Sequence, residues 1–114
     1  MTNAGTGRQA EAAAVEYLRG RGFAIVAQNW RTRMCEIDII AQKGRVVYFY
    51  EVKYRRTSGQ GTGLDYITPK KLLQMRFAAE SWVHFSGWKG EYQLSAIEVS
   101  GSEFQIGGVV QDLL

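Results

Sequence analysis

Apolar residues recur at helical spacing in two stretches of the chain. In residues 7–21 they share one face of a helix that Gly22 is placed to end. The apolar positions of this face are Ala10, Ala13, Ala14, Tyr17 and Leu18. Before residues 70–84, Thr68 and Pro69 supply a capping hydroxyl and a first-turn proline. The pattern therefore predicts two helices, over 7–21 and over about 70–84.

Five shorter stretches are rich in β-branched and aromatic residues, which is typical of strands. They are residues 23–30, 35–42, 45–55, 92–100 and 104–110. Lys43 and Gly44 resemble a tight hairpin turn between the second and third strands, and this turn pairs Gln42 with Arg45. Residues 56–64, rich in glycine and polar side chains, predict a loop.

The order of these elements is α-β-β-β-α-β-β, which predicts an α/β protein with a mixed sheet and a helix on either side. A chain of 114 residues, 46% of them hydrophobic, can bury one core but not two. We therefore expect residues 1–114 to form a single domain.

Acidic side chains interrupt the apolar second and third strands. Because strand side chains alternate between faces, Glu36 and Asp38 share one side of the second strand, and Glu51 and Lys53 share one side of the third. The predicted turn places Asp38 across from Phe49 and Glu36 across from Glu51. Asp38 and Glu51 are then diagonal neighbours, roughly 7–8 Å apart at the backbone. The opposite face of the second strand is formed by Cys35, Ile37, Ile39 and Ala41.

Acids placed this close together need compensation, because like charges across a strand pair destabilise a sheet. A Mg²⁺ ion would provide it, since this cation takes oxygen ligands and often uses only one or two carboxylates. An ion-paired cluster of Asp38, Glu51 and Lys53 without metal would provide it equally well. Spacing alone leaves both interpretations open.

Positive charge is concentrated in the middle of the chain. Residues 31–76 contain ten lysines and arginines against four acids, a net charge of +6, whereas residues 77–114 carry a net charge of −4. This distribution favours a polyanionic partner, although an ordinary solvated basic face would look the same. The sequence shows no membrane-spanning or signal-like apolar run, and Cys35 is the only cysteine. We therefore expect a cytoplasmic protein with no membrane partner.

Two short motifs carry a family resemblance. Residues 36–41 (EIDIIA), residues 51–53 (EVK) and Arg55 resemble the PD-(D/E)xK nuclease superfamily, and within it the YraN-like family of predicted endonuclease-like proteins. The resemblance covers nearly the whole chain. The thirteen-residue step from Asp38 to Glu51 is also similar to that of archaeal Holliday junction resolvases. A restriction-endonuclease-like fold is what this resemblance implies.

The resemblance also implies roles for individual residues. Asp38 and Glu51 would be metal ligands for Mg²⁺ or Mn²⁺, with the carbonyl of Val52 as a third ligand. Lys53 would be the catalytic lysine. Glu11, on the first helix, matches an acid that can reach toward the metal in such folds, although a solvent-facing glutamate would explain it too.

Glu36 matches the family pattern as an accessory residue of less clear role, while Ala10 and Cys35 stand where the family usually has glycine. The expected activity is hydrolysis of DNA phosphodiester bonds, with branched or damaged structures as substrates and a homodimer if both strands are cut. The alternative is an inactive nucleic-acid-binding or scaffold protein on the same fold. The candidates for phosphate contact are Arg31, Arg55, Lys71 and Arg76.

Overall fold

The computed structural model describes residues 3–56 and 67–113, so that most of the predicted loop at 56–64 lies outside the described residues. Helices and strands follow the predicted order, and the first helix begins four residues earlier than predicted. The elements are α1 Asn3–Gly20, β1 Ala24–Arg31, β2 Glu36–Lys43, β3 Val46–Arg55, α2 Pro69–Ser86, β4 Glu91–Ser100 and β5 Gln105–Val110.

The five strands form one mixed sheet in the order β1-β2-β3-β4-β5. Strands β3 and β4 are parallel, and the other neighbouring strands are antiparallel. A parallel pair needs a crossover connection, and α2 lies within that connection. The α/β class, the mixed sheet and the element order are therefore confirmed, and they fit the restriction-endonuclease-like arrangement.

The hairpin between β2 and β3 differs from the predicted one. Lys43 pairs with Val46, so the turn consists of Gly44 and Arg45, and the predicted pairing of Gln42 with Arg45 is wrong. Gly44 has φ +63°, a left-handed conformation that glycine adopts without strain and that tight hairpin turns require at their first central position. The turn is therefore positioned by its glycine and starts one residue later than predicted.

Each face of the sheet is covered by one helix. Helix α1 contributes Ala10, Ala14 and Leu18 to a buried cluster with residues of β2, β3 and β4; the sheet residues of this cluster include Ile39, Tyr50 and Val99. On the other face, α2 contributes Ala78, Ala79 and Trp82; here the sheet residues include Ile37, Ile40, Phe49 and Leu94. Residues 94–100 of β4 are buried throughout, as expected for a strand covered on both faces.

Helix α2 begins and ends at strong capping residues. The Thr68 hydroxyl accepts a hydrogen bond from the Lys71 amide at 3.1 Å, and Pro69 follows it in the first turn. Gly87 caps the other end with φ +77°. The first turn, which carries Lys71, is thus fixed in place. Neither helix within residues 3–56 and 67–113 has the length and apolar character that a membrane span needs.

Candidate metal centre

The observed strand register differs from the predicted one next to Asp38 and Glu51. Phe49 lies opposite Ile40, so the predicted pairing of Phe49 with Asp38 is wrong, as is that of Glu36 with Glu51. The last regular pair before the acids is Ile39 with Tyr50, and Asp38 and Glu51 are the next residues on the two strands. Because the register moved by two residues, Glu51 keeps the sheet face predicted for it.

The regular pairing of β2 with β3 stops at Asp38. The Val52 amide donates to Asp38 Oδ2 at 2.8 Å, so a side chain replaces a backbone carbonyl as its partner. The regular alternation of β2 also breaks here, since Ile37 packs on the α2 side with Ile40 while Ile39 packs on the α1 side. The prediction that Ile37 and Ile39 share a face is therefore wrong, because the strand deforms where Asp38 binds the neighbouring backbone.

The same geometry directs the Val52 carbonyl. In an extended strand, the N–H and C=O groups of one residue point toward the same neighbouring strand. The Val52 N–H points toward Asp38, and the Val52 carbonyl therefore points to that side as well. A carboxylate and a carbonyl oxygen thus border the place where the ladder ends.

Three other carboxylates influence the ionisation of Asp38. The Asp38 side chain is partly buried. This burial, followed by the negative charge of the nearby Glu51, raises the pKa of Asp38 from 3.8 to about 7. The Val52 hydrogen bond opposes this rise, and the charges of Glu11 and Glu36 add smaller increases to it. Four acids from α1, β2 and β3 therefore share one electrostatic neighbourhood.

Helix α2 supplies a cation to this neighbourhood. Lys71 Nζ lies 3.0 Å from Glu51 Oε2, and both side chains are largely shielded, with 33% and 22% exposure. Lys53 lies two residues beyond Glu51 on the same strand and is exposed. The sequence placed Lys71 among phosphate-binding candidates but gave no sign that it contacts a predicted metal ligand.

Glu11 is held by a residue to which the sequence assigned no role. The Asn29 side-chain amide donates to Glu11 Oε1 at 3.0 Å. Asn29 has φ +52°, a conformation that asparagine tolerates better than most residues. Asparagine is disfavoured inside strands, so its presence within the predicted strand 23–30 was the feature of the sequence that could have pointed to Asn29.

The donor set decides which metal ions fit. Within residues 3–56 and 67–113, no three His, Cys, Asp or Glu side chains come close enough to hold a metal together. The oxygens of Asp38, Glu51 and Val52 remain, with water or phosphate to complete the shell. This set fits Mg²⁺ or Mn²⁺, which accept such oxygen ligands, and does not fit a structural zinc site.

The predicted phosphate-binding residues occupy different surroundings. Arg31 lies 3.8 Å from Glu36 in an exposed ion pair, and Arg76 is exposed on α2. Arg55 forms an ion pair with the buried Glu98 of β4. Arg55, the last residue of β3, is thus paired with an acid of the neighbouring strand β4. Its role in nucleic-acid binding stays a prediction.

A cleft of about 580 Å³ lies between the start of β2 and helix α2. Sequence reasoning did not find it. Glu36, Glu51 and Lys71 line this cleft together with apolar side chains; these are Met34, Cys35, Leu73, Met75 and Phe77. The available signal was the helical spacing of Leu73 and Phe77 next to a lysine pair. Glu51 of the candidate centre therefore lines a cleft whose other side chains are largely apolar.

Comparisons with known proteins place the chain in a family. Residues 10–104 match the model of the uncharacterised protein family UPF0102. The chain is 38% identical over 94 residues to a UPF0102 protein of Leifsonia xyli, a match that covers 82% of this chain and 80% of the relative. It is 44% identical over 81 residues to one of Geotalea uraniireducens (71% and 64%), and 31% identical over 96 residues to one of Cytophaga hutchinsonii (84% and 85%). With the family model matching most of its length, this chain belongs to family UPF0102.

Proposed function

We propose that this protein is a Mg²⁺- or Mn²⁺-dependent nuclease that hydrolyses DNA phosphodiester bonds. One observation carries the proposal: Asp38 binds the Val52 amide next to Glu51, and burial, followed by the charge of Glu51, raises the pKa of Asp38 to about 7. Two acids held together at this cost in stability are typical of a functional site, and a divalent cation would neutralise them.

In this proposal, the chain's own groups hold the cation and orient the reactants. Asp38 and Glu51 bind the ion through carboxylate oxygens, and the Val52 carbonyl is the third protein ligand. When bound, the cation polarises the scissile phosphate and lowers the pKa of a coordinated water. Lys53 would orient the attacking water, and the negative charge of Glu11 on α1 would add to the attraction for the cation.

Lys71 has a separate task in this proposal. In the metal-free protein it neutralises Glu51 at 3.0 Å. A cation on Glu51 would take over this neutralisation and would leave Lys71 to contact a substrate phosphate. The net charge of +6 in residues 31–76 supports a polyanionic substrate. The PD-(D/E)xK resemblance of the two strand motifs supports a phosphodiester as the bond that is cut.

A cleavage assay tests the proposal. Purified protein is incubated with single-stranded, duplex and four-way-junction DNA in the presence of Mn²⁺, Mg²⁺ or EDTA. We expect cleavage of at least one of these DNAs in either metal ion, none in EDTA, and a loss of at least about 100-fold in Asp38→Asn, Glu51→Gln and Lys53→Ala, since removal of one catalytic group commonly costs this much. Glu103→Gln, an exposed acid between β4 and β5, is the matched control and should retain full activity.

The other outcomes assign the protein elsewhere. Metal-independent binding of DNA without cleavage would support an inactive nucleic-acid-binding protein on this fold. Neither binding nor cleavage would leave an interaction module with an ion-paired core. Where both strands of a junction are cut, sedimentation of the protein–DNA complex should reveal two copies of the chain.

A further inference from the structure

The cleft beside the candidate centre contains three of the large hydrophobic side chains that are most exposed among the described residues. Met34, Leu73 and Phe77 are 79%, 64% and 51% exposed, and all three line the cleft. Leu73 and Phe77 stand four residues apart on α2, so they project from one helix face. Apolar groups gathered around one concavity mark a binding surface more clearly than the same groups scattered singly.

The charged residues of the cleft are paired with each other or with a neighbour. Glu51 binds Lys71 at its inner end, and Glu36 lies 3.8 Å from Arg31 at its outer side. Lys70, the residue before Lys71 on α2, is exposed. An entering group therefore meets apolar side chains, the ion-paired acids Glu36 and Glu51, and the positive charge of Lys71.

A nucleotide has this combination of properties. Its base offers a flat apolar face that stacks on aromatic side chains, and its phosphate needs a cation beside it. The volume of about 580 Å³ falls within the range of small-molecule pockets. In an intact duplex the bases are stacked and paired, so that only an unpaired base could enter.

We propose that this cleft receives an unpaired base of the nucleic-acid substrate. The base packs on Phe77, with Met34 and Leu73 around it, and with a cation on the acid pair its phosphate would lie at Lys71. Single strands and flaps are then substrates, and an intact blunt duplex is not. This proposal rests on the proposed function for the position of the phosphate, whereas base binding is measurable without cleavage.

The binding test uses fluorescence anisotropy in EDTA, with a labelled oligodeoxythymidine and a labelled blunt duplex. Because base–aromatic stacking is commonly worth enough to change affinity by about fivefold or more, Phe77→Ala should weaken single-strand binding at least that much. Its duplex binding should be unchanged. Phe77→Trp should retain single-strand affinity, and Leu73→Ala should weaken it.

Phe85→Ala is the matched control. Phe85 is a phenylalanine of the same helix, is 76% exposed, and lies outside the residues that line the cleft. Its removal should leave both affinities unchanged. Thermal unfolding of each variant, followed by circular dichroism, should show that none of these exposed positions is needed for folding.

Three results would overturn the proposal. These are equal loss in Phe77→Ala and Phe85→Ala, duplex binding as tight as single-strand binding in the wild type, or a dimer in sedimentation that Phe77→Ala dissociates, since a second copy would then fill the cleft. Cleavage with Mn²⁺ is scored separately. Phe77-dependent binding without cleavage supports the cleft and rejects the nuclease, while cleavage without Phe77 dependence does the reverse.

Discussion

Replacing Asp38 with asparagine should make the metal-free protein more stable at pH 8. The pKa of Asp38 is raised from 3.8 to about 7, so the folded state binds this proton more tightly than the unfolded state does. The stabilisation by that proton is full below about pH 3.8 and is lost as pH rises through 7. An asparagine resembles the protonated acid, and its side-chain oxygen can still accept the Val52 N–H bond.

The expected magnitude follows from the pKa difference. About three pH units, at about 1.4 kcal/mol each, give about 4 kcal/mol as an upper limit for the cost of ionising Asp38. The half-buried carboxyl keeps part of its hydration, which lowers this figure. We therefore expect Asp38→Asn to raise the free energy of unfolding by about 2 kcal/mol at pH 8 and by much less at pH 4.5.

Urea denaturation followed by tryptophan fluorescence measures the effect, at both pH values and in EDTA. Asp112→Asn is the matched control, because Asp112 is exposed and has φ +62°, which asparagine also tolerates. Addition of Mn²⁺ at pH 8 should stabilise the wild type and leave Asp38→Asn unchanged. A stability gain that is the same at both pH values, or no larger than that of Asp112→Asn, would refute the reasoning.

Three further predictions concern the surroundings of the centre. Lys71→Gln should bind Mn²⁺ about fivefold more tightly in calorimetry, because the lysine no longer competes for Glu51 through a pair worth about 1 kcal/mol; weaker Mn²⁺ binding would contradict the proposed exchange. Thr68→Ala should lower the free energy of unfolding by about 1 kcal/mol in urea denaturation, since the Lys71 amide loses its cap. Leu18→Ala should lower the free energy of unfolding by about 2–5 kcal/mol in the same assay, because this side chain is fully buried between α1 and the sheet. A decrease as small as that of Thr68→Ala would show that the site collapses around the smaller residue.

The sequence by itself predicted every element of the fold. Alternating and continuous apolar runs predicted five strands, and helical spacing with Thr68, Pro69 and Gly22 predicted two helices. These signals are local, because a capping hydroxyl, a proline or a glycine acts within one turn of the chain. The sequence also placed Asp38 and Glu51 on adjacent strands, where the charge of Glu51 acts on Asp38, and their role as metal ligands stays a prediction.

The tertiary structure decided the details that determine the chemistry. A turn that begins at Gly44 rather than Lys43 moved the register by two residues, so that Phe49 lies opposite Ile40 and not Asp38. The bond from Val52 to Asp38 and the ion pair of Lys71 with Glu51 join residues that are 14 and 20 positions apart. Such contacts depend on how strands end and how a helix packs across the sheet. Local sequence patterns do not determine contacts between residues so far apart in the chain. Only the folded chain therefore brings the acids, the lysine and the apolar cleft together.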